Sequence, residues 1–129
     1  MMQLRIAGTV ENSIVDGEGI RYTIFVQGCP HGCPGCHNPQ THDFQGGKLV
    51  DAAVLLKEIA SDPLLDGVTF SGGEPFCQAA ALAELGKQVH DLGLNLVTYT
   101  GYTLEQLLTD GREDWMALLN ETDILIDGR

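Results

Sequence analysis

Apolar and polar positions along this chain follow two periods, and each predicts an element. Short runs with β-branched or aromatic residues, bounded by glycine, asparagine or aspartate, predict strands over 22–26 (YTIFV), 68–70 (VTF), 94–99 (LNLVTY) and 123–126 (DILI). A further N-terminal strand is expected around 4–10. Helices are expected between them. Asp51 caps a helix through Ala60, with Pro63 beyond its end. Pro75 fits the first turn of a second helix, where Leu82, Leu85, Val89 and Leu92 form one apolar stripe and Gly93 is the stop. Thr103 and Gln106 make a capping box for a third helix, and residues 115–119 predict a short fourth. No internal repeat, low-complexity tract or linker interrupts the pattern. Strand–helix alternation implies an α/β class with parallel strands and right-handed crossovers.

In such sheets ligands bind beyond the C-terminal ends of the strands. A cysteine-bearing loop follows the first of the four strands, residues 71–75 (SGGEP) the second, 100–102 (TGY) the third and 127–129 (DGR) the fourth. Every unusual loop therefore falls on one rim, and a single composite site explains all four.

Size and charge narrow the function. At 129 residues the chain is expected to be one domain, 1–129, with one core. A formal net charge of −11 argues against nucleic acid or an anionic membrane surface as the main partner. The charge is uneven: residues 1–50 carry four acids and three bases, and residues 51–129 carry fourteen acids and four bases. No apolar run approaches the roughly 18 residues that span a bilayer. The start, MMQLRIAG, shows no signal-peptide pattern. A cytoplasmic protein is expected, in which clustered thiols mean metal or redox chemistry more often than disulfides.

Cys29, Cys33 and Cys36 are spaced C-x3-C-x2-C. Pro30, Gly32, Pro34 and Gly35 oppose a continuous helix and let the backbone wrap closely around a guest. Thiolates at that density suit zinc or an iron–sulfur cluster. His31, His37 or His42 could complete a Cys3His zinc site, and Cys77 could supply a fourth thiolate to a cluster. Taken alone, the loop leaves both metals open, along with a disulfide or cysteines without a metal.

The second loop separates them. C-x3-C-x2-C after one strand and SGGEP after the next closely resemble the radical S-adenosylmethionine superfamily. Within it, VDGEGIRYTIFVQGCPHGCPGCHNPQTHDF, GVTFSGGEPF, YTGYTLEQL and DILIDGR are similar to the activating proteins of anaerobic ribonucleoside-triphosphate reductase. Pyruvate formate-lyase activating enzymes share the DG-x-GIR and GC…CHNP stretches. The resemblance implies a partial, TIM-like barrel and two cofactors, a [4Fe–4S] cluster and S-adenosylmethionine. It makes Cys29, Cys33 and Cys36 ligands to three irons, with the fourth iron open to the amino and carboxylate groups of S-adenosylmethionine. Gly35, Cys36, His37, Ser71, Gly72, Gly73 and Glu74 are the implied cofactor contacts. Glu74 or its backbone is placed near the methionine ammonium, and His37 in place of the usual aromatic before the third cysteine, where this chain has Gly35. Family members usually continue past the position of Arg129, so a C-terminal part of the pattern is expected to be absent.

The implied activity is glycyl-radical activation. Its implied partners are the large subunit of anaerobic ribonucleoside-triphosphate reductase and a small electron-transfer protein of flavodoxin or ferredoxin type. Arg5, Arg21 and Lys48 are expected to steer that carrier to the nearly neutral N-terminal portion. Alternatives are a pyruvate formate-lyase-type activator, another small radical enzyme, or a non-catalytic zinc module. Asp16 and Arg21 are candidates for the site's mouth or for a surface salt bridge, Asn38 for a cap, and Thr98 and Thr100 for facing the ligand. Tyr99 or Tyr102 is expected to pack. Trp115 and Met116 are expected in the core, and His90 to be structural or exposed.

Overall fold

The computed structural model describes residues 3–13, 19–28 and 46–127. Strand β1 (Gln3–Ser13) precedes β2 (Arg21–Val26), and β3 (Lys48–Asp51) leads directly into helix α1 (Ala52–Ala60). There follow β4 (Gly67–Gly72), a 3-10 turn (Pro75–Gln78), α2 (Ala79–Asp91), β5 (Asn95–Tyr99), α3 (Leu104–Asp110), α4 (Glu113–Glu121) and β6 (Ile124–Ile126). The strands form one sheet in the order β3-β1-β2-β4-β5-β6.

β2, β4, β5 and β6 run parallel, as strand–helix alternation requires. The N-terminal strand β1, to which the strand–helix pattern assigns no direction, lies antiparallel to both β2 and β3. β3 is four residues long and ends in the residue that caps α1, so no strand signal distinguishes it from a loop.

Period-2 alternation sorts the side chains. Tyr22, Ile24 and Val26 of β2 face the same way as Val68 and Phe70 of β4, and all five are fully buried. They join Leu55 and Ile59 of α1, Leu82, Leu85 and Val89 of α2, and Trp115 and Leu118 of α4 in one core. Truncating Phe70 to alanine here would cost about 3–5 kcal/mol. Tyr22 donates its hydroxyl to Glu58 at 2.5 Å, and burial, then that carboxylate, pushes the phenol well above its usual range.

The helix ends follow their caps. Asp51 accepts from the amide of Ala53 at 2.9 Å, and the Thr103–Gln106 capping box is formed in both directions. Two expectations change. Pro75 opens the 3-10 turn rather than α2, because Glu74 receives the Cys77 amide on its carbonyl and the Phe76 amide on its carboxylate. Leu92 falls one residue past α2 and is 44% exposed, outside the buried stripe.

Candidate functional site

The loops after the four parallel strands are tied to one another in sequence. The Glu74 amide donates to the Gly28 carbonyl at 2.7 Å, and the Gly73 amide to the Val26 carbonyl at 2.8 Å. The Glu74 carboxylate then reaches the next loop: Oε2 accepts from Thr100 Oγ1 at 2.7 Å and Oε1 from the Gly101 amide at 2.8 Å. The Thr100 amide donates to Ile126 at 3.0 Å, and Asp127 Oδ2 accepts from the Leu104 amide at 3.0 Å. Among the described residues, the four loops thus form one hydrogen-bonded rim.

Glu74 is completely buried. A buried carboxylate is tolerable only when hydrogen-bonded, and this one also receives the Phe76 amide at 3.1 Å. Its side chain fastens the loop after β4 to the loop after β5. Gly72 has its own constraint. Its φ is +93°, and a Cβ there would stand 2.6 Å from the Val26 amide nitrogen, so the close approach it permits is to the β2 backbone. Ser71 and Gly73 beside it are half-buried.

Cys29, Cys33, Cys36, Gly35 and His37, together with His31, Asn38, His42 and Asp16, lie outside the described residues. Gly28, one residue before Cys29, is held on the rim by Glu74. Among the described residues no group of three or more His, Cys, Asp or Glu side chains could hold a metal ion. The residues present fit a cluster in their donor chemistry: three thiols enter the chain directly after a backbone position that is hydrogen-bonded to the glycine-rich loop.

Other expected site residues are placed elsewhere. Arg21 is fully buried at the N-terminal end of β2, the end opposite the rim, so it neither lines a mouth nor steers a carrier. It donates to Thr69 Oγ1 at 2.7 Å and to the Val68 carbonyl at 2.8 Å. Thr98 is buried and shares a hydrogen bond with Thr122 at 2.9 Å. Thr100 does face the rim, through Glu74. The Tyr102 ring packs at a 43° tilt against Trp115, with centroids 4.9 Å apart, and the Trp115 indole donates to the Phe76 carbonyl at 3.0 Å. Trp115 is in the core and Met116 is half-buried. Cys77 is exposed on the 3-10 turn.

His90 is structural. Nδ1 meets Glu121 at 2.9 Å and Nε2 meets Asp123 at 2.8 Å. The bond to Asp123 leads in raising the imidazole above its usual range. Burial pushes Asp123 up, but His90 and the Leu96 amide outweigh it and hold the carboxyl below its usual range. A cleft of about 740 Å³ between α2 and α4 is floored by Ala80, Ala83 and Ala117, and no rim residue lines it.

Gln78 is the residue sequence reasoning missed. Its carboxamide binds the Arg5 amide and carbonyl at 2.9 and 2.8 Å, and the Gln27 carbonyl at 3.3 Å. A lone glutamine at the start of a helix carries no signal that would have revealed this.

No helix among the described residues is long and apolar enough to cross a membrane. Comparison with known proteins places the chain. Residues 15–129 match the family described as a 4Fe-4S single cluster domain. The chain is 36% identical over 132 residues to the pyruvate formate-lyase-activating enzyme of Clostridium pasteurianum, covering 98% of this chain and 52% of that one. It is 36% identical over 124 residues to the anaerobic ribonucleoside-triphosphate reductase-activating protein of Pasteurella multocida, covering 90% and 77%. The chain thus spans about half of the first relative and about three quarters of the second. Its fold is that of QueE from Escherichia coli, with a TM-score of 0.66 at 21% identity over 80% of this chain and 55% of that one. The α/β sheet is accordingly of the partial-barrel type. The chain belongs to the family of 4Fe-4S single cluster domains and, with these activating proteins, to the radical S-adenosylmethionine superfamily, whose cofactors are a [4Fe–4S] cluster and S-adenosylmethionine.

Proposed function

We propose that this chain is the radical-generating part of an activating enzyme for anaerobic ribonucleoside-triphosphate reductase, with residues 1–129 acting as one cytoplasmic domain. The observation that carries the reading is the 2.7 Å bond from the Glu74 amide to the Gly28 carbonyl, which joins the SGGE loop to the chain immediately before Cys29. Held by the three thiolates and reduced, a [4Fe–4S] cluster would supply the one electron for reductive cleavage of S-adenosylmethionine to methionine and a 5′-deoxyadenosyl radical, the oxidant proposed for a glycine C–H of the reductase large subunit.

The protein's part is to hold and to exclude water. Cys29, Cys33 and Cys36 would hold the cluster through three thiolates, and Gly35 and His37 would meet the adenosine. Ser71, Gly72, Gly73 and the Glu74 backbone would meet the methionine end. The Glu74 carboxylate, engaged by Phe76, Thr100 and Gly101, keeps that backbone in place. No proton-transfer pair is required. The electron comes from a small flavodoxin- or ferredoxin-type carrier that docks on the N-terminal portion. Arg5 and Lys48, without the buried Arg21, are the bases able to steer it. Charge reversal at both should slow reduction by a protein donor at low salt and leave reduction by dithionite unchanged.

A second target is supported by the 36% identity to a pyruvate formate-lyase-activating enzyme. The test uses anaerobically reconstituted protein with reductant and S-adenosylmethionine, offered each large subunit in turn. A glycyl-radical signal in the reductase subunit supports the first reading. A signal in pyruvate formate-lyase alone replaces it with the second.

A further inference from the structure

Strand β2 leaves the sheet at Gln27 and Gly28, while β1 runs past that level to pair with β3. Arg5 of β1 therefore presents its amide and carbonyl to a ladder position that β2 is abandoning. Gln27 still donates its amide to the Arg5 carbonyl at 3.0 Å. Gln78 completes the position. Its Oε1 accepts the Arg5 amide at 2.9 Å, and its Nε2 donates to the Arg5 carbonyl at 2.8 Å and to the Gln27 carbonyl at 3.3 Å. A carboxamide carries the donor and acceptor of a peptide unit on a planar group. One side chain thus replaces the missing strand residue and also grips Gln27.

The same short turn holds the other side of the departure point. Glu74, four residues earlier, donates its amide to Gly28 at 2.7 Å, and the Phe76 carbonyl anchors the turn to Trp115 at 3.0 Å. Gln27 and Gly28 are consequently held by the residue that caps the 3-10 turn and the residue that ends it, immediately before Cys29. Arg5 meets the other end of the cysteine segment as well, since its Nη1 donates to the Gly46 carbonyl at 3.1 Å where the described chain resumes.

We propose that Gln78 is a positioning residue for S-adenosylmethionine, because its amide fixes where the cysteine segment leaves the sheet relative to the Gly72–Gly73 backbone. The inference rests on the function proposed above. A ligand shared between a cluster on that segment and the glycine backbone is sensitive to displacements of about 1 Å, which can cost orders of magnitude in rate or affinity. Gln78 need not touch the ligand. It sets the offset between the two parts that do.

Two variants test this. Gln78→Leu removes all three bonds. Gln78→Glu keeps an acceptor for the Arg5 amide but sets a carboxylate oxygen against the Arg5 and Gln27 carbonyls. In the protein without cofactors, hydrogen exchange at the Arg5 amide should quicken about 10-fold or more in Gln78→Leu and stay near wild type in Gln78→Glu. In reconstituted protein matched for iron and sulfide, both variants should need about 10-fold more S-adenosylmethionine to change the spectrum of the reduced cluster. A purely structural glutamine would lower the melting temperature and cluster yield, yet leave that titration midpoint per intact cluster unmoved. Midpoints equal to wild type in both variants overturn the positioning role alone. A wild-type cluster whose spectrum ignores S-adenosylmethionine overturns the functional reading, and the positioning role with it.

Discussion

Thr100 Oγ1 lies 2.7 Å from Oε2 of the fully buried Glu74, so the loop after β5 supplies a hydroxyl to the carboxylate of the loop after β4. The same hydroxyl accepts the Tyr102 amide at 3.1 Å. Thr100→Val keeps the shape and removes both bonds. It should lower the unfolding free energy of the cofactor-free protein by about 1.5–3 kcal/mol, the range for a hydrogen bond to a charged group. Thr100→Ser should recover most of the loss. Urea denaturation reads the difference, and a valine variant as stable as wild type would remove Glu74 from its fastening role.

Arg21 offers the opposite pairing of stability and function. Its guanidinium occupies space left by Gly67, where a Cβ would stand 2.5 Å from Nη2. Gly67→Ala should therefore destabilise by about 1–3 kcal/mol, as overpacking does. Arg21→Met should cost about 3 kcal/mol or more, because buried carbonyls lose their donor. Neither change should alter the S-adenosylmethionine titration of intact clusters, since Arg21 and Gly67 open the paired strands β2 and β4, at the end of the sheet away from the rim. A shifted midpoint in either variant would tie the far end of the sheet to ligand binding.

The contrast between Arg21 and Glu74 shows what the sequence could carry. Alternation in YTIFV, the Thr103–Gln106 box and Asp51 located strands and helices, because each is a local rule with a local cause. Loop order after parallel strands likewise placed SGGEP beside the end of β2, where it meets Val26 and Gly28. Arg21 was misplaced against the same rule, since it opens β2 and so lies at the end away from the rim; what the sequence did not carry is that Gly67, forty-six residues later, leaves room for its guanidinium. The pairing of β1 with β3 and the clamp of Gln78 on Arg5 are contacts across more than forty residues, and no periodicity encodes them. Glu74 was expected to contact the cofactor; its three protein donors, which no local pattern signals, come from the fold.

His90 makes the stability pH-dependent in one direction. Its folded pKa is raised above the ordinary 6.5, first by Asp123 and also by Glu121. The contribution is therefore complete below about pH 6.5 and is lost as pH rises through the raised folded value. Both partners are partly exposed, so the effect should stay within about 1 kcal/mol. The melting temperature of wild type should exceed that of His90→Gln near pH 6, and the gap should narrow by about pH 8. A gap that widens over that interval would contradict the pairing.

Cys77 separates a fourth thiol from a three-cysteine site. It is exposed on the 3-10 turn, and its amide is committed to the Glu74 carbonyl at 3.0 Å. Cys77→Ala should retain the iron and acid-labile sulfide of the reconstituted protein, whereas Cys33→Ala should lose most of both. Equal loss in the two variants would overturn the assignment of Cys29, Cys33 and Cys36 as the complete ligand set.

The most direct measurement reconstitutes the protein anaerobically, quantifies metal and sulfide, and then adds S-adenosylmethionine and a low-potential reductant. The expected result is four irons and four sulfides per chain, with 5′-deoxyadenosine and methionine formed in equal amounts only when the cluster is reduced. A colourless protein holding one zinc and no acid-labile sulfide, with S-adenosylmethionine left intact, would contradict the account.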